Sequence, residues 1–461
     1  MIIFFDDQTL EARINLVRQY GKLEYVPAST YRDPSDLSIS AGLPSVFYHE
    51  ELKEYVMIYN ILDTNDSEDL GIYMCAAHSK DLTCWEPLDT TDLINMPNRK
   101  FFNQAFFLNQ GEGWIYKDER AKKEERYKLF YCRYAENLRI SDELYVSPDL
   151  FNWTKLDCTW NTQGSEPGIG CAYSEKLKKY IITCRPHWAD RRVCTVTTED
   201  FRTFSPVIHS LQTDSMDEAM AEGYGMPIYE YENYHIGLMW KYLRPNGGES
   251  VQVGNQLINN LGRMYPELVY SFNGLNYMRS LREPFIEQTD PMLPYYGCLF
   301  VTGFIEKDDE IYFYGASSQG EHGKFRDKGT GSIVFFKMKK DRFICLESRG
   351  LGNLRTRCLL INGALSINAS SAEPMKFRLL DSSMQVVEGF DFDDCDTFTG
   401  DSLNHVLTWK GKDTSCLKGR SLKLEISATV SRLYAIKGDF KVLAFNQNRL
   451  YEAFGTVDEE I

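Results

Sequence analysis

Three glutamates stand at the heads of apolar, β-prone segments, each close to glycine: Gln110-Gly111-Glu112-Gly113, Ser165-Glu166-Pro167-Gly168 and Ala221-Glu222-Gly223-Tyr224. Carboxyl groups gathered from separate segments can divide acid and base work. Crowding like charges in a partly desolvated pocket raises the pKa of one and leaves the other ionised. Cleavage of a glycosidic bond needs such a pair, one protonated donor and one carboxylate across the scissile bond. A second constellation is Arg185-Pro186-His187-Trp188-Ala189-Asp190-Arg191-Arg192, which joins an apolar strand ending at Cys184 to a β-rich strand starting at Val193. Its guanidinium forks offer planar donors to hydroxyls or to an acid. His187 and Trp188 can lie against a sugar ring, and Asp190 can accept from hydroxyls or pair with an Arg. Tyr224 and His322, the latter in Gln319-Gly320-Glu321-His322-Gly323, complete the candidate ligand-facing groups. Each has an ordinary structural alternative, a rim carboxylate paired with Arg or an Asp190–Arg pair that fixes the hairpin. Trp240 reads as core rather than as a stacking platform. Gly329-Thr330-Gly331-Ser332 lacks the strand and helix of a phosphate loop.

The elements that would position these groups repeat along the chain. One unit is an apolar strand, a charged turn, a strand rich in Tyr and Ile, a variable hairpin, another strand, and a turn closed by an aromatic. Four units end in Asp or Asn followed four residues later by an aromatic: Asp81/Trp85, Asp149/Trp153, Asp200/Phe204 and Asn273/Tyr277. The unequal spacings of 68, 51 and 73 residues imply equal cores with loops of different length. A fifth unit runs from Cys298 to about Met338. One four-stranded sheet cannot bury both faces, so such sheets pack radially about an axis, and the strand starts converge on one pocket. The terminal aromatics are expected to fill the wedges between sheets. After Leu346 the pattern changes to short alternating runs separated by turn signals such as Thr399-Gly400-Asp401, as in a β-sandwich. A helix is expected only over residues 10–20, and residues 442–461 read as a strand with an acidic tail or as a crossing arm.

Composition narrows the function classes. The chain has 461 residues, enough for two domains, and aromatics at 13% suit many short strands. A net charge of −15 argues against nucleic acid and anionic membrane as partners and leaves neutral ligands open. No run of about 18 apolar residues exists, and the acidic N-terminus does not read as an export signal. The 12 Cys are scattered with no C-x-x-C, which reads as reduced thiols of a cytoplasmic protein without a metal cluster.

Further motifs are Phe4-Phe5-Asp6-Asp7, Arg185 through Arg192, Ala221-Glu222-Gly223-Tyr224-Gly225-Met226-Pro227, Arg282 through Ile286, and the pattern from Asp394 to Ala435. On these motifs the chain resembles the five-bladed β-propeller glycoside hydrolases of the family 43 and family 32 superfamily, and more narrowly a bacterial family 32-like branch. The resemblance spans nearly the whole chain. It implies an all-β fold, a five-bladed β-propeller over residues 1–346 followed by an antiparallel β-sandwich over residues 347–461 that is similar to a sugar-binding module and packs structurally. It implies hydrolysis of a small oligosaccharide or glycoside, with no cofactor and a small carbohydrate as ligand. By position Glu166 is the candidate general acid. Glu112 would orient substrate and tune that acid, and Glu222 would serve as base or second acid. The sequence departs from the family in one respect. The aspartate of the first blade has no counterpart at Leu43-Pro44-Ser45, and the nearest acids are Asp33 and Asp36. A non-hydrolytic carbohydrate-binding or scaffold protein on the same fold therefore stays open, as does homo-oligomerisation.

Overall fold

A computed structural model describes residues 1–39, 42–63, 71–108, 111–135, 138–161, 169–186, 190–244, 251–253, 256–258, 261–322 and 331–457. The chain is nearly all β and divides into two compact units, Leu23–Lys337 and a second built from Met1–Lys22 with Met338–Ile461. The N-terminal 22 residues, expected in the propeller part, thus belong with the C-terminal residues.

Within Leu23–Lys337, three four-stranded antiparallel sheets follow one another, each with its first strand at one edge: Ser45–His49, Gly111–Lys117 and Gly170–Ser174. A longer sheet follows. Its first part centres on Tyr234–Leu243 and Arg263–Ser271, and its second on Cys298–Lys307, Glu310–Ser318 and Gly331–Lys339. A single parallel pair, Met264 with Cys298, joins the two parts. The outermost strand of the last part, Glu24–Tyr25, comes from the start of the unit and pairs antiparallel with Phe336 and Lys337.

Side-chain bonds link each sheet to the next and the last to the first. Ser45 Oγ accepts from Ile115 N at 3.1 Å. The Thr183 hydroxyl donates to Met226 O at 2.6 Å, and the Thr302 hydroxyl to Pro44 O at 2.6 Å. Between the second and third sheets lies a shared apolar layer that includes Phe130, Leu144, Ile182 and Val196.

The repeated turns have one geometry. Asp81, Asp149, Asp200 and Asn273 each accept backbone N–H bonds from the residues two and three positions on. A Ser or Thr two residues earlier (Ser79, Ser147, Thr198, Ser271) braces the same turn. The next residue is left-handed in every case: Leu82 at φ 69°, Leu150 at 70°, Phe201 at 56° and Gly274 at 79°. A left-handed residue with a side chain costs roughly 1–2 kcal/mol. Leu82, Leu150 and Phe201 offset it by full burial, and Gly274 avoids it. The aromatics that follow sit as expected, Trp85, Trp153, Phe204 and Tyr277 each joining an apolar cluster shared with the neighbouring sheet.

In the other unit, the expected helix over residues 10–20 is two strands, Leu10–Ile14 and Val17–Tyr20. Asn15 at φ 53° breaks the segment, and each half finds a strand partner, Gly352–Thr356 and Ile344–Ser348. The helix lies instead at Phe445–Phe454, where a strand or arm was expected. Gln447 caps its start by accepting from Ala444 N at 3.0 Å, and left-handed Gly455 ends it. The 22-residue strand Leu359–Leu380 bends at two register shifts and pairs antiparallel with Phe398–Val406 and Ser431–Val442. It also pairs with Ser421–Ala428, Lys376 through Leu380 lying opposite Ser427 through Lys423 in descending order, so this pairing runs antiparallel as well.

Candidate functional site

Strand Ala221–Gly225 lies at one edge of its sheet and pairs with Tyr234–Leu243. Glu222 stands opposite Tyr242 and Gly225 opposite Trp240, so Tyr224 is an extra, bulged residue. A bulge re-aims a side chain. Here it turns the Tyr224 ring toward Tyr242 (centroids 5.8 Å), Phe300 (6.0 Å) and His322 (5.1 Å). The floor beneath is the apolar cluster of Leu43, Ile169, Trp240, Tyr242, Met264, Cys298, Phe300 and Ala316, drawn from the first, third, fourth and fifth repeats. Trp240 is core, with its indole N–H donating to Val301 O at 2.8 Å.

Polar groups from three segments close on Tyr224. The backbone O of Arg191 accepts from Gly223 N at 3.1 Å, which lays the second hairpin arm against the Ala221–Gly225 strand. Arg191 Nη1 then donates to Glu222 Oε2 at 2.6 Å. Arg244 approaches the other carboxylate oxygen at 3.9 Å. The Arg185 guanidinium lies 4.3 Å from the Tyr224 ring centroid, and that of Arg191 5.5 Å from both Tyr224 and Tyr242. His322 is fixed by its backbone N–H to Gly262 O at 2.8 Å, and its Nε2 and the Tyr224 hydroxyl are hydrogen-bonded at 3.1 Å. Burial pulls Arg191 toward losing its proton, but Tyr224 and Glu222 outweigh it and hold the guanidinium above its ordinary range. Burial pushes the Tyr242 hydroxyl up to about 12, against Arg191 and Arg244. Tyr242 therefore stays a neutral donor, to Leu261 O at 2.8 Å.

Five of the residues singled out by sequence thus come together: Arg185, Arg191, Glu222, Tyr224 and His322. Asp190 does not join them; it makes a bidentate pair with Arg192 at 2.7 and 2.6 Å. Glu112 is half-buried at the second position of the edge strand Gly111–Lys117, the position Glu222 holds in Ala221–Gly225. Glu166, His187 and Trp188 lie outside the described residues. Asp33 is buried and accepts from Tyr59, from Ser35 and from Asn103, between the first sheet and Ile333 of the last. Sequence reasoning missed Tyr242 and Arg244. The signal for Tyr242 was present as strand alternation, since Trp240 and Tyr242 are two residues apart and share a face, while Arg244 lies just past the strand's end.

The arrangement offers guanidinium donors, one paired carboxylate and a tyrosine face around an apolar floor. Such a set can bind a polyhydroxylated ring: carboxylate and guanidinium to hydroxyls, the ring's apolar face to tyrosine. Among the described residues no group of three or more His, Cys, Asp or Glu is arranged to hold a metal ion. All 12 Cys are free thiols, most of them buried.

No family model and no curated protein matches the chain. Solved structures similar to it are glycoside hydrolases and other carbohydrate-active enzymes. A putative glycoside hydrolase from Parabacteroides distasonis is 13% identical, with 70% of this chain and 96% of that one covered and a TM-score of 0.43. The β-1,2-mannobiose phosphorylase from Listeria innocua is 13% identical, covers 69% and 97%, and has a TM-score of 0.44. The endo-arabinase from Bacteroides thetaiotaomicron is 11% identical, covers 66% and 96%, and has a TM-score of 0.41.

Proposed function

We propose that residues 23–337 form a five-bladed β-propeller whose axial pocket cleaves a glycoside, and that the second unit is a β-sandwich that supports it. The observation that carries this reading is the convergence of Arg185, Arg191, Glu222, Tyr224 and His322 above a floor drawn from four of the five repeats. Glu166 is the general acid, Glu112 orients the substrate and tunes that acid, and Glu222 is the carboxylate on the substrate's far side. Glu222 suits that role as the anionic half of an ion pair: it accepts, while Arg191 holds its orientation. Tyr224 and the guanidinium over it supply the sugar face.

The test is to change Glu112, Glu166 and Glu222 singly to Gln and to assay aryl glycosides and short oligosaccharides. Loss of about 100-fold or more in turnover is expected for the acid and for Glu222. Unchanged turnover in all three variants removes the mechanism.

One observation favours a second reading, binding without hydrolysis. In the first repeat Pro44-Ser45 carries no acid, and the nearest buried one, Asp33, is occupied by Tyr59, Ser35 and Asn103. On this reading the same pocket holds a carbohydrate and releases it unchanged. Turnover by the wild type that a pocket mutation abolishes would sink it.

A further inference from the structure

A cleft of about 760 Å³ lies in the unit built from Met1–Lys22 and Met338–Ile461, far in sequence from the residues around Glu222. Four cations line it, Arg355, Arg357, Lys423 and Arg449, against two carboxylates, Glu11 and Glu452. In a chain of net charge −15 that is a local reversal of sign. Two of the cations are committed. Lys423 Nζ lies 2.8 and 3.0 Å from the two oxygens of Glu11, and Arg355 Nε 3.3 Å from one of them. The other two are not. Arg357, exposed just past the strand Gly352–Thr356, and Arg449, on the helix Phe445–Phe454, form no ion pair among the described residues.

Aromatic surface stands beside the free charge. Phe445 is 74% exposed at the first turn of the helix, and the Arg449 guanidinium lies 5.8 Å from its ring centroid. Leu10, Leu443 and the buried Cys358 line the same cleft as apolar surface, and Ser382 adds a hydroxyl. Burial pushes the Cys358 thiol up, so it acts there as an apolar group rather than as a nucleophile. A cleft of several hundred Å³ matches small-ligand sites. Guanidinium forks match the planar oxygens of carboxylate and phosphate bidentately, and an exposed ring accepts the apolar face of a sugar.

We propose that this cleft binds an acidic saccharide, its carboxylate or phosphate held by Arg357 and Arg449 and its ring against Phe445. It is a second carbohydrate site on the chain, in the part otherwise expected only to support the propeller.

The experiment is calorimetric titration of the full chain at low salt with glucuronate, glucose 6-phosphate, glucose and inorganic phosphate. An acidic sugar is expected to bind, and glucose, lacking the anion, not to. Whether glucuronate or glucose 6-phosphate is tighter distinguishes the carboxylate from the phosphate source. The double variant Arg357→Ala/Arg449→Ala should weaken that binding by about tenfold or more. Arg349→Ala, which removes an 82% exposed cation outside the cleft, should leave it unchanged. Both arginines of the double variant are exposed, and a circular dichroism spectrum verifies the fold; Phe445→Ala gives an independent second variant with the same expected direction. Equal affinity of the acidic sugars for wild type and double variant overturns the proposal. So does binding of glucose as tight as theirs, binding of phosphate as tight as glucose 6-phosphate in the absence of glucuronate binding, or no acidic-sugar binding at about 10 mM.

Discussion

The strand Tyr234–Leu243 separates two ionic clusters of similar composition and opposite character. On one face Lys241 and Arg279 meet Asp217 and Glu267. Asp217 accepts from Lys241 at 2.7 Å and from both terminal nitrogens of Arg279 at 2.6 and 2.7 Å. Glu267 takes the remaining Arg279 donors, one of them at 2.6 Å. None of the four side chains is more than 4% exposed. On the other face Glu222 meets Arg191 and Arg244, with side chains 17%, 27% and 27% exposed. The first cluster is closed in that its four charges are buried and matched, and only its edge reaches solvent, through Glu218, 2.7 Å from Lys241, and Arg282, 3.7 Å from Asp217. The second is open to solvent at all three side chains. Alternation along one strand assigned Lys241 to the first and Tyr242 to the second, so adjacent residues face a buried cluster on one side and a partly exposed one on the other. Burial, more than residue type, separates a structural ion pair from a usable one.

The sharpest way to break this contrast is to remove one partner from each side. Arg279→Met leaves Asp217 and Glu267 buried without their shared cation, and loss of one member of a buried network costs about 3–5 kcal/mol. Urea unfolding should register that loss. If the variant unfolds at the wild-type midpoint, the closed cluster is not structural. Arg191→Met is the matched change on the open face. A partly exposed pair contributes about 1 kcal/mol or less, so the midpoint should move little, while turnover or sugar affinity falls about tenfold as Glu222 loses its orientation. A stability loss equal to that of Arg279→Met would place both clusters in one class.

Much of this was legible in the sequence, and what was not has identifiable causes. The turn signature at Asp81, Asp149, Asp200 and Asn273 is local, a side chain bonding its own backbone two and three residues on, so spacing alone exposed it. Glu222 and Tyr224 were singled out as a strand start, and Arg185, Arg191 and His322 as hairpin residues; the structure brings the five together. Arg244 was missed because it falls just beyond its strand, where alternation is no longer read. The segment 10–20 was misjudged because its partners, Gly352–Thr356 and Ile344–Ser348, lie more than 300 residues away, and no local window contains them. Helix Phe445–Phe454 was hidden by its polarity. Asn446, Gln447, Asn448 and Arg449 give no apolar stripe, and only Gly455 marks its end.

The closed cluster also has a pH signature. Burial pushes the Asp217 carboxyl up, yet the bonds from Arg279 and Lys241 outweigh it and hold the group well below the carboxylate range. A carboxyl depressed in the folded state stabilises above its unfolded pKa, about 3.9, and that contribution is lost as pH falls through the folded value. Glu267 has the opposite sign. Burial raises it, so the folded chain takes up that proton more readily, and acidification through the raised value favours the fold. Wild type should therefore exceed Asp217→Asn in stability by a constant margin from neutral pH to about pH 4, and the margin should shrink below that. Urea midpoints measured at intervals of pH read it directly. A margin that persists undiminished into strong acid would mean that Asp217 is not the carboxylate the cluster depends on.

The smallest expected effect concerns Asp190, which the hairpin sequence offers as a sugar ligand. Its two oxygens are taken by Nε and Nη2 of Arg192, and that pairing lowers its pKa below the ordinary carboxylate value. Its side chain is 49% exposed, so water and salt screen the pair and its contribution to stability is about 0.5 kcal/mol or less. Asp190→Asn keeps the shape and one acceptor oxygen while cancelling the charge. It should leave unfolding within that margin and leave the KM of any glycoside substrate unchanged, whereas Arg191→Met, one residue along, should raise KM or lower kcat. Adjacent residues of one hairpin would then differ for the reason the two faces of Tyr234–Leu243 differ. Arg191 reaches Glu222, whose side chain is 17% exposed, whereas Arg192 pairs with Asp190, whose side chain is 49% exposed. An increase in KM on Asp190→Asn alone would extend the open cluster around the hairpin and move the boundary between the two kinds of ion pair outward by one residue.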